Sequence, residues 1–364
     1  MKNKNNFCII MAGGIGARFW PMSKTSHPKQ FIDILGTGET LIQQTFNRFK
    51  RIIEPENIFI VTNIYYKNMV MSQLPELSES NILCEPNRRN TAPCIAYASY
   101  KIQQINPNAN VVVSPSDHII LKEDKFLNTI ASALDATKKN NWLVTLGITP
   151  SRPDTGYGYI QFTDEINYSK NPDIKKVKTF TEKPSLEIAK SFMESGDFLW
   201  NAGIFIWNVK SIISAMDDFL PEISIAFKDG MNKYNTTEES EYVKWAYSVC
   251  KNISIDYGVM EKAANVYVLK SEFGWSDLGT WRSLFEYSNK NEVFNSVKGK
   301  NVLTYDTKNC IINVPDDKLV VIDGLENYIV AESDNVLLIC SMSEEQKIKQ
   351  FVNDVKVLKG DQYV

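Results

Sequence analysis

The sequence predicts an α/β fold, in which a mixed, mostly parallel sheet carries helices on both faces and a small β-rich domain follows. In the first half of the chain, short apolar runs alternate with segments of helical periodicity, which is typical of a parallel sheet covered by helices. After about Glu292 the pattern changes to short β-type runs separated by Asp, Asn and Gly. We therefore expect two domains, residues 1–290 and 291–364.

Apolar spacing predicts the elements of the larger domain. Ile42, Phe46 and Phe49 recur at helical spacing, whereas short continuous apolar runs between turn residues indicate buried strands. The predicted strands are Phe7–Met11, Ile58–Val61, Ile82–Cys84, Asn110–Val113, Leu143–Leu146, Tyr159–Phe162, Lys175–Phe180 and Gly203–Trp207. The predicted helices are Thr40–Ile53, Tyr65–Leu74, Ala92–Ile105, Phe126–Lys138, Ser185–Glu194 and Glu239–Cys250. In such sheets, ligands bind at the carboxyl ends of the strands.

The smaller domain is predicted from short runs of β-forming residues. These runs are Val302, Ile311–Ile312, Leu319–Ile322, Tyr328–Val330 and Val336–Ile339. A polar helix is expected to follow them at Ser343–Val355.

Composition and charge exclude several classes of protein. A net charge of −3 gives no general attraction to nucleic acid or to an anionic membrane, so neither is expected as a partner. No segment approaches the roughly 20 apolar residues of a membrane span, and the apolar run Phe7–Met11 is too short for a signal peptide. Six scattered cysteines without a CxxC pair fit a reducing compartment, so a cytoplasmic location is expected.

A glycine loop, MAGGIGAR, follows the first predicted strand directly. Because Gly13, Gly14 and Gly16 have no Cβ, backbone N–H groups in this loop can approach phosphate oxygens closely. Arg18 adds a permanent planar charge that suits phosphate. The loop contains neither GxxxxGK[ST] nor GxGxxG, so alone it also fits a turn that only redirects the chain.

The residues after the loop favour the phosphate-binding interpretation. Trp20-Pro21 and then Pro28-Lys29-Gln30 form a stiff, basic segment that is expected to return a lysine to the loop. With Arg18, this pattern resembles the signature of the sugar nucleotidyltransferases, and most closely that of the mannose-1-phosphate guanylyltransferases. The resemblance runs from about Phe7 to Leu284. It implies that the loop binds nucleotide and that two cations act catalytically on the triphosphate and on the leaving pyrophosphate. The residues so implied are Ala12, Gly13, Gly14 and Gly16 for the nucleotide, and Arg18 and Lys29 for catalysis.

A second string, EPNRRNTAP at Glu85–Pro93, resembles the guanine-recognition segment of that family. The resemblance implies nucleotide contacts from Pro86, Asn90 and Thr91, although Asn and Thr at a helix start also fit ordinary caps. The family usually has glycine where this chain has Arg88. Arg88 would be strained there if the position requires a positive φ, and otherwise it points outward.

Two distant aspartates are the candidate metal ligands. Asp117 follows the strand that ends at Val113, and Asp277 lies in the string WSDLG. Mg²⁺ prefers a few carboxylates together with water and phosphate oxygens, and the resemblance implies that this pair binds it. His118 is interpreted as a structural residue rather than a base, because the attacking sugar phosphate is already anionic.

Three further strings are similar to the sugar-phosphate pocket of the family: TGYGYI, FTEKP and WNAGI. The resemblance implies contacts from the following residues: Gly158, Glu182, Lys183, Asn201 and Gly203. The string SIDYGVMEK also matches, but Asp256 and Glu261 are interpreted only as helix-start acids or loop supports.

The family resemblance implies a Rossmann-like nucleotidyltransferase fold of the GT-A type and a short β-helix-like second domain. It also implies that GTP and mannose 1-phosphate react, with Mg²⁺, to give GDP-mannose and pyrophosphate. Two alternatives stay open: the same chemistry on another sugar phosphate or nucleotide, and a catalytically silent regulatory homologue that binds GDP-mannose. Longer members carry a fused isomerase, which is not expected here because no histidine follows His118. A homodimer is plausible on the same resemblance.

Overall fold

The computed structural model describes residues 2–166, 171 and 173–364. The chain forms two compact units, each assembled from separate stretches of sequence. The first unit comprises Met1–Gly13, Thr45–Ser116 and Ile120–Trp275. The second unit comprises Gly14–Gln44, Asp117–Ile119 and Ser276–Val364.

The strands and helices follow the predicted order closely. The strands are β1 (Asn6–Met11), β2 (Ile58–Asn63), β3 (Ile82–Glu85), β4 (Asn110–Pro115), β5 (Ile119–Ile120), β6 (Leu143–Ile148), β7 (Gly158–Ile166), β8 (Ile174–Glu182), β9 (Phe198–Asn208), β10 (Val266–Ser271), β11 (Trp275–Ser276), β12 (Ser296–Lys298), β13 (Val302–Tyr305), β14 (Ile311–Asn313), β15 (Val320–Asp323), β16 (Tyr328–Ser333) and β17 (Val336–Ser341). The α-helices are α1 (Leu41–Lys50), α2 (Lys67–Gln73), α3 (Thr91–Ile105), α4 (Glu123–Thr137), α5 (Leu186–Ser195), α6 (Val209–Phe219), α7 (Pro221–Lys228), α8 (Glu239–Val249), α9 (Trp281–Tyr287) and α10 (Ile348–Lys359).

In the described part of the first unit, nine strands form one sheet in the order β3-β2-β1-β4-β9-β6-β10-β8-β7. The pairs β1–β2, β1–β4, β2–β3 and β6–β10 are parallel, whereas β9 and β8 run antiparallel to each of their neighbours. The other strands therefore share one direction, and the predicted mixed, mostly parallel sheet is confirmed.

Helices cover both faces of this sheet. Val111 and Val113 of β4 belong to the core cluster that also contains residues of α3, α6, α7 and α8. Asn110 points to the opposite face, because side chains alternate along a strand, and its Nδ2 donates to Leu134 O of α4 at 2.7 Å. The predicted arrangement, with helices on both faces, is therefore present.

The second unit contains short parallel strands that stack in successive layers. β12, β14 and β16 pair in parallel, β13 pairs in parallel with β15, and β17 closes the layer antiparallel to β16. Cys310, Ile312, Val314, Ile322 and Val330 fill the space between the layers. The layers have the parallel, repeating geometry of a short β-helix.

A separate apolar cluster in the second unit joins the segment after the glycine loop to the C-terminal residues. Phe19 and Trp20 are buried in one cluster with Trp281 of α9, Ile329 of β16 and Ile348 of α10. The Phe19 and Trp281 ring centroids lie 5.4 Å apart. The loop segment and the C-terminal strands therefore share a core, while the predicted domain boundary near residue 290 stays a prediction.

Two further structural features concern the helices and the cysteines. Among the described residues, no helix combines the length and apolar character needed to cross a bilayer. All six cysteines lie in the described part of the chain and are free thiols.

Candidate active site

The first part of the glycine loop is fixed to the sheet of the first unit. Ala12 N donates to Val61 O at 2.7 Å, and Ala12 O accepts from Thr62 Oγ1 at 2.8 Å. The next residue is closely flanked by a carboxylate, because a Cβ on Gly13 would lie 3.1 Å from Glu85 Oε2. Glycine at position 13 therefore leaves a narrow space beside a buried acid.

The second part of the loop is held by the basic segment that follows it, within the second unit. Gly16 has a φ of 74°, and a Cβ there would lie 2.5 Å from Lys29 Cβ. Lys29 N donates to Ile15 O at 3.1 Å, and Gln30 Nε2 donates to Gly14 O at 3.0 Å. Gly16 is required both by its left-handed backbone and by the close approach of Lys29.

Lys29 is the centre of a cluster that it forms with Asp117, Asp277 and Leu278. Its side chain is buried, and its Nζ lies 2.7 Å from Asp117 Oδ2. The same ammonium donates to Asp277 O at 3.0 Å and to Leu278 O at 2.9 Å. An ammonium has three N–H donors, so three protein oxygens satisfy it. The structure thus brings Lys29 to the carboxylate of Asp117 and to the backbone carbonyl of Asp277.

The two aspartates provide oxygen ligands of the kind that a magnesium ion prefers. Burial tends to raise the pKa of Asp117, but the charges of Lys29 and His118 together with the hydrogen bonds to this carboxylate outweigh burial and hold the pKa below its usual value. Asp277 Oδ1 accepts from Gly279 N at 3.0 Å, which orients its carboxylate. Within residues 2–166, 171 and 173–364, no group of three or more His, Cys, Asp and Glu side chains is placed to hold a metal. Two carboxylates completed by phosphate and water would still suit Mg²⁺.

Arg18, the other predicted cation, lies in the short 3₁₀ helix Ala17–Phe19. Its side chain is half-buried, and its Nε donates to Gln346 Oε1 at 3.1 Å. Gln346 belongs to the 3₁₀ segment Met342–Lys347, just before α10. Sequence reasoning did not identify Gln346, because nothing in its local pattern indicates a partner 328 positions away.

The segment of the first unit that is predicted to contact the base contains a buried acid, Glu85, to which sequence reasoning assigned no role. Glu85 is 5% exposed, and its Oε1 accepts from Tyr247 Oη at 2.9 Å. Burial raises the pKa of Glu85 to about 7, against the opposing effects of the Tyr247 hydrogen bond and the Arg88 charge. Its position at the end of β3, immediately before Pro86, was the available signal.

The predicted residues after Glu85 have distinct local roles. Asn90 is the N-cap of α3, and its Oδ1 accepts from Thr91 N at 2.9 Å. Thr91 does not cap; its Oγ1 accepts from Ile255 N at 2.8 Å. The positive φ in this segment, 68°, belongs to Asn90. Arg88 is exposed and donates from Nη2 to Tyr66 Oη at 2.8 Å, so the strain that a positive φ would impose on arginine does not arise there.

The sugar-phosphate candidates Glu182 and Lys183 lie side by side in the first unit. Glu182 Oε2 lies 2.7 Å from Lys183 Nζ; the side chain of Glu182 is 6% exposed and that of Lys183 is 60% exposed. A Cβ on Gly158 would overlap Glu182 Oε1. Burial, then the nearby Glu182 charge, raises the pKa of Asp256 to about 6. Two acids and one ammonium therefore meet beside Gly158, where any Cβ would displace the Glu182 carboxylate.

Asn201 connects the acids Glu182 and Asp256 to the centre of the sheet. Its Nδ2 donates to Asp256 Oδ1 at 2.9 Å, while its Oδ1 accepts from Thr145 Oγ1 at 3.0 Å and from Gly203 N at 3.1 Å. The Asn201 amide is thereby fixed in one orientation. Asp256 was interpreted only as a support, yet it lies within the cluster; its place in the string SIDYGVMEK was the signal.

Three aromatic rings and an arginine form a further cluster in the first unit. The Tyr157 ring centroid lies 4.9 Å from that of Trp200 and 5.2 Å from that of Trp275. Arg152 Cζ lies 5.9 Å from the Tyr157 centroid and 5.4 Å from the Trp200 centroid. Asp154 Oδ2 lies 2.9 Å from Arg152 Nη2. Tyr157, Trp200 and Trp275 lie within the strings TGYGYI, WNAGI and WSDLG, but sequence reasoning assigned no role to them or to Arg152.

The sequence profile of the Nucleotidyl transferase family matches residues 7–293, which include the glycine loop and both aspartates. The chain belongs to the nucleotidyl transferase family. A second profile, the MannoseP isomerase/GMP-like beta-helix domain, matches residues 300–355. The family resemblance and the fold class inferred from the sequence, including its β-helix-like second part, are therefore confirmed.

Individual members of the family are similar over much of the chain. The Escherichia coli mannose-1-phosphate guanylyltransferase is 34% identical over 298 residues, which cover 80% of this chain and 63% of that protein. Mannose-1-phosphate guanylyltransferase 2 of Escherichia coli O157:H7 is 33% identical over 364 residues, covering 98% of this chain and 74% of that protein. This nucleotidyltransferase thus spans about three fifths of the first relative and three quarters of the second.

A solved structure supports the same assignment for the whole chain. The Thermus thermophilus protein described as a mannose-1-phosphate geranyltransferase superposes with a TM-score of 0.85 at 27% identity. The match covers 97% of this chain and 99% of that chain. Both parts of this nucleotidyltransferase therefore have counterparts in one solved protein.

Proposed function

We propose that the protein transfers GMP from GTP to mannose 1-phosphate, giving GDP-mannose and pyrophosphate. The observation that carries the proposal is the cluster formed by the glycine loop, Lys29, Asp117 and Asp277. The names of the curated relatives support the choice of substrates. The cluster supplies a buried cation and the Asp117 carboxylate beside the glycine loop, and Asp277 joins it through its backbone carbonyl. A cation and a carboxylate that can hold a metal suit the negative charge that nucleotidyl transfer develops.

The reaction is an in-line displacement at phosphorus. An anionic oxygen of mannose 1-phosphate attacks the α-phosphorus of GTP, and the bond from that phosphorus to the bridging oxygen breaks. Pyrophosphate leaves with the electron pair, and no general base is needed. Catalysis is then mainly positioning and stabilisation of negative charge. One cation at about 4 Å from a phosphate charge contributes roughly 4 kcal/mol at an effective dielectric near 20.

Three side-chain cations would supply this stabilisation. Lys29 and Arg18 act on the triphosphate, and a phosphate oxygen can replace one of the carbonyl oxygens that now bind Lys29 Nζ. Lys183, whose side chain is largely exposed, binds the phosphate of the sugar. Asp117 and Asp277 would hold Mg²⁺, which neutralises phosphate charge when it is bound.

Base selection is assigned to Glu85 together with Pro86, Asn90 and Thr91. Guanine presents two neighbouring N–H donors on one edge, where adenine presents a single donor. Glu85 accepts from both once it has lost its proton, since an ionised carboxylate only accepts hydrogen bonds, and the N–H donors of the base favour that ionised form against the burial that raises its pKa to about 7. Glu85 Oε1 is held by Tyr247, while Oε2 lies beside Gly13 of the nucleotide loop. This arrangement supports GTP rather than ATP as the substrate.

Sugar selection is assigned to Glu182, Asp256 and Asn201, with Gly158 and Gly203 leaving room for the ring. Carboxylate and amide oxygens accept hydrogen bonds from sugar hydroxyl groups. The Asn201 side chain is already fixed by Thr145 and Asp256, so this surface is ordered before the sugar arrives. A cytoplasmic location, a homodimer and the absence of nucleic-acid or membrane partners stay predictions.

Pyrophosphate release tests the proposal directly. The purified chain is incubated with Mg²⁺, each common nucleoside triphosphate and a panel of sugar 1-phosphates. Release that needs both GTP and mannose 1-phosphate is the expected result. Release with another pair would overturn the assignment of base and sugar while keeping the chemistry. No release from folded protein that still binds GDP-mannose would favour a regulatory homologue.

A further inference from the structure

We propose that Gln346 is a positioning residue for Arg18, through which the C-terminal part of the chain prepares the phosphate-binding loop. The inference rests on the proposed function, in which Arg18 contacts the triphosphate. Gln346 Oε1 accepts from Arg18 Nε at 3.1 Å. It touches no reacting atom in this assignment and acts only through the guanidinium.

The backbone that carries Arg18 is also anchored to the C-terminal residues of the second unit. Trp20 is 6% exposed, and its Nε1 donates to Tyr363 O at 2.7 Å. Phe19 and Trp20 lie in the apolar cluster that includes Met342 and Ile348. The position of the Arg18 main chain is therefore set by packing, and Gln346 adds the contact that orients its side chain.

The choice of donor atom matters for phosphate binding. Arginine has five N–H donors, and its two terminal nitrogens form the fork that binds phosphate oxygens. The hydrogen bond to Gln346 uses Nε, so it restricts the side-chain rotamers without using the terminal nitrogens. A side chain held in this way loses less conformational freedom when the nucleotide binds, which favours affinity.

The neutral charge of Gln346 is the second part of the argument. An amide oxygen orients the guanidinium without adding a negative charge of its own beside it. The neighbouring acid, Glu345, is 8% exposed, and its Oε2 accepts from Arg282 N at 2.9 Å. A neutral acceptor therefore binds Arg18 Nε, while the adjacent carboxylate is hydrogen-bonded to the start of α9. Burial raises the pKa of Glu345, and the Arg18 charge is the smallest of the effects that oppose it.

The test is a double-mutant cycle in the full-length chain, with steady-state kinetics for both substrates. Gln346→Met keeps the length of the side chain and removes the acceptor. We expect KM for GTP to rise about threefold to tenfold, the size of one lost hydrogen bond, with KM for mannose 1-phosphate and the thermal midpoint unchanged. Gln350→Met, at an exposed glutamine of α10, is the matched control and should leave both KM values unchanged.

Coupling to Arg18 distinguishes positioning from a general structural role. In an Arg18→Ala background, Gln346→Met should have no further effect on kcat/KM for GTP, because its partner is gone. Gln346→Glu should raise KM for GTP more than Gln346→Met does, and added salt should reduce that difference, because the new carboxylate competes with phosphate.

The outcomes separate this inference from the proposed function. If wild-type protein releases pyrophosphate but the two substitutions have additive effects, the positioning role is overturned and the function stands. If wild-type protein turns over another nucleotide, the same cycle is run with that nucleotide and decides the inference alone. If wild-type protein turns over no nucleotide, the double-mutant cycle is measured as GTP affinity by isothermal titration calorimetry. Additive effects of the two substitutions on that affinity would again overturn the inference.

Discussion

Lys29 and Asp117 form a short ion pair, 2.7 Å from Nζ to Oδ2, between a lysine side chain that is 4% exposed and an aspartate side chain that is 30% exposed. The ammonium also binds the carbonyl oxygens of Asp277 and Leu278. A residue assigned to catalysis is therefore also the point at which three separate segments of the second unit meet. Its removal should affect stability as well as turnover.

Lys29→Met is expected to lower the free energy of unfolding by about 2–4 kcal/mol, since it leaves a partly buried carboxylate and two carbonyl oxygens without their cation. Urea denaturation measures this change. Lys300→Met is the control, because Lys300 forms a 2.8 Å pair with Asp316 at which both side chains are more than half exposed, and solvent-exposed ion pairs contribute little to stability, so the loss should be much smaller than in Lys29→Met. Equal losses in the two variants would show that the Lys29 cluster has no special role in stability.

Much of this fold could be predicted from the sequence because its elements are locally determined. β2 is buried along its whole length and is a largely continuous apolar run, and Ser185 was correctly placed at the start of α5, which it caps. α6, α7, α9 and β10 were not assigned, although the alternation of buried and exposed positions in α6 was an available signal. α10 extends to Lys359, beyond the predicted end at Val355.

The site was less predictable, because its contacts join distant segments. Strings of residues indicated Lys29 and Asp117 separately, but only the fold shows that one ammonium joins them. Glu85 and Asp256 acquire their significance from burial and from neighbours that are remote in sequence. Such relationships carry no local periodicity, so only a resemblance to a family could indicate them in advance.

Asp277→Asn is expected to abolish magnesium-dependent turnover while preserving the fold. The amide can still accept from Gly279 N through its oxygen, and the backbone carbonyl that binds Lys29 is unchanged. What is lost is the negative charge that a divalent cation requires. Pyrophosphate release is measured over a range of Mg²⁺ concentrations, with Asp316→Asn as a surface control. A rate equal to that of the wild type would count against Asp277 as a metal ligand.

Lys183→Ala is expected to raise KM for mannose 1-phosphate about tenfold or more, with a much smaller effect on KM for GTP, because one charge-assisted phosphate contact is lost. The side chain is 60% exposed, so the thermal midpoint should change little. Lys178→Ala, at an exposed lysine of the same strand as Glu182, should leave both values unchanged. Equal increases for the two substrates would contradict a role specific to the sugar phosphate.

Glu85→Gln is expected to change how stability depends on pH. Because burial raises the pKa of Glu85 to about 7, the folded chain keeps a proton that the unfolded chain releases near pH 4.5. The folded state thus binds more protons between these values, and this carboxyl makes the free energy of unfolding fall by about 3 kcal/mol as pH rises from about 4.5 to 7.

Glutamine stays neutral and still accepts from Tyr247 Oη, so the variant should lose this slope and become more stable than the wild type at pH 8. Urea denaturation at a series of pH values measures it. The control is Glu79→Gln, at an exposed acid paired with Lys67, which should leave the slope between pH 4.5 and 7 in place. If the slope in Glu85→Gln equals that of the wild type, Glu85 has an ordinary pKa in the folded chain. Burial of its ionised carboxylate would then not lower the free energy of unfolding.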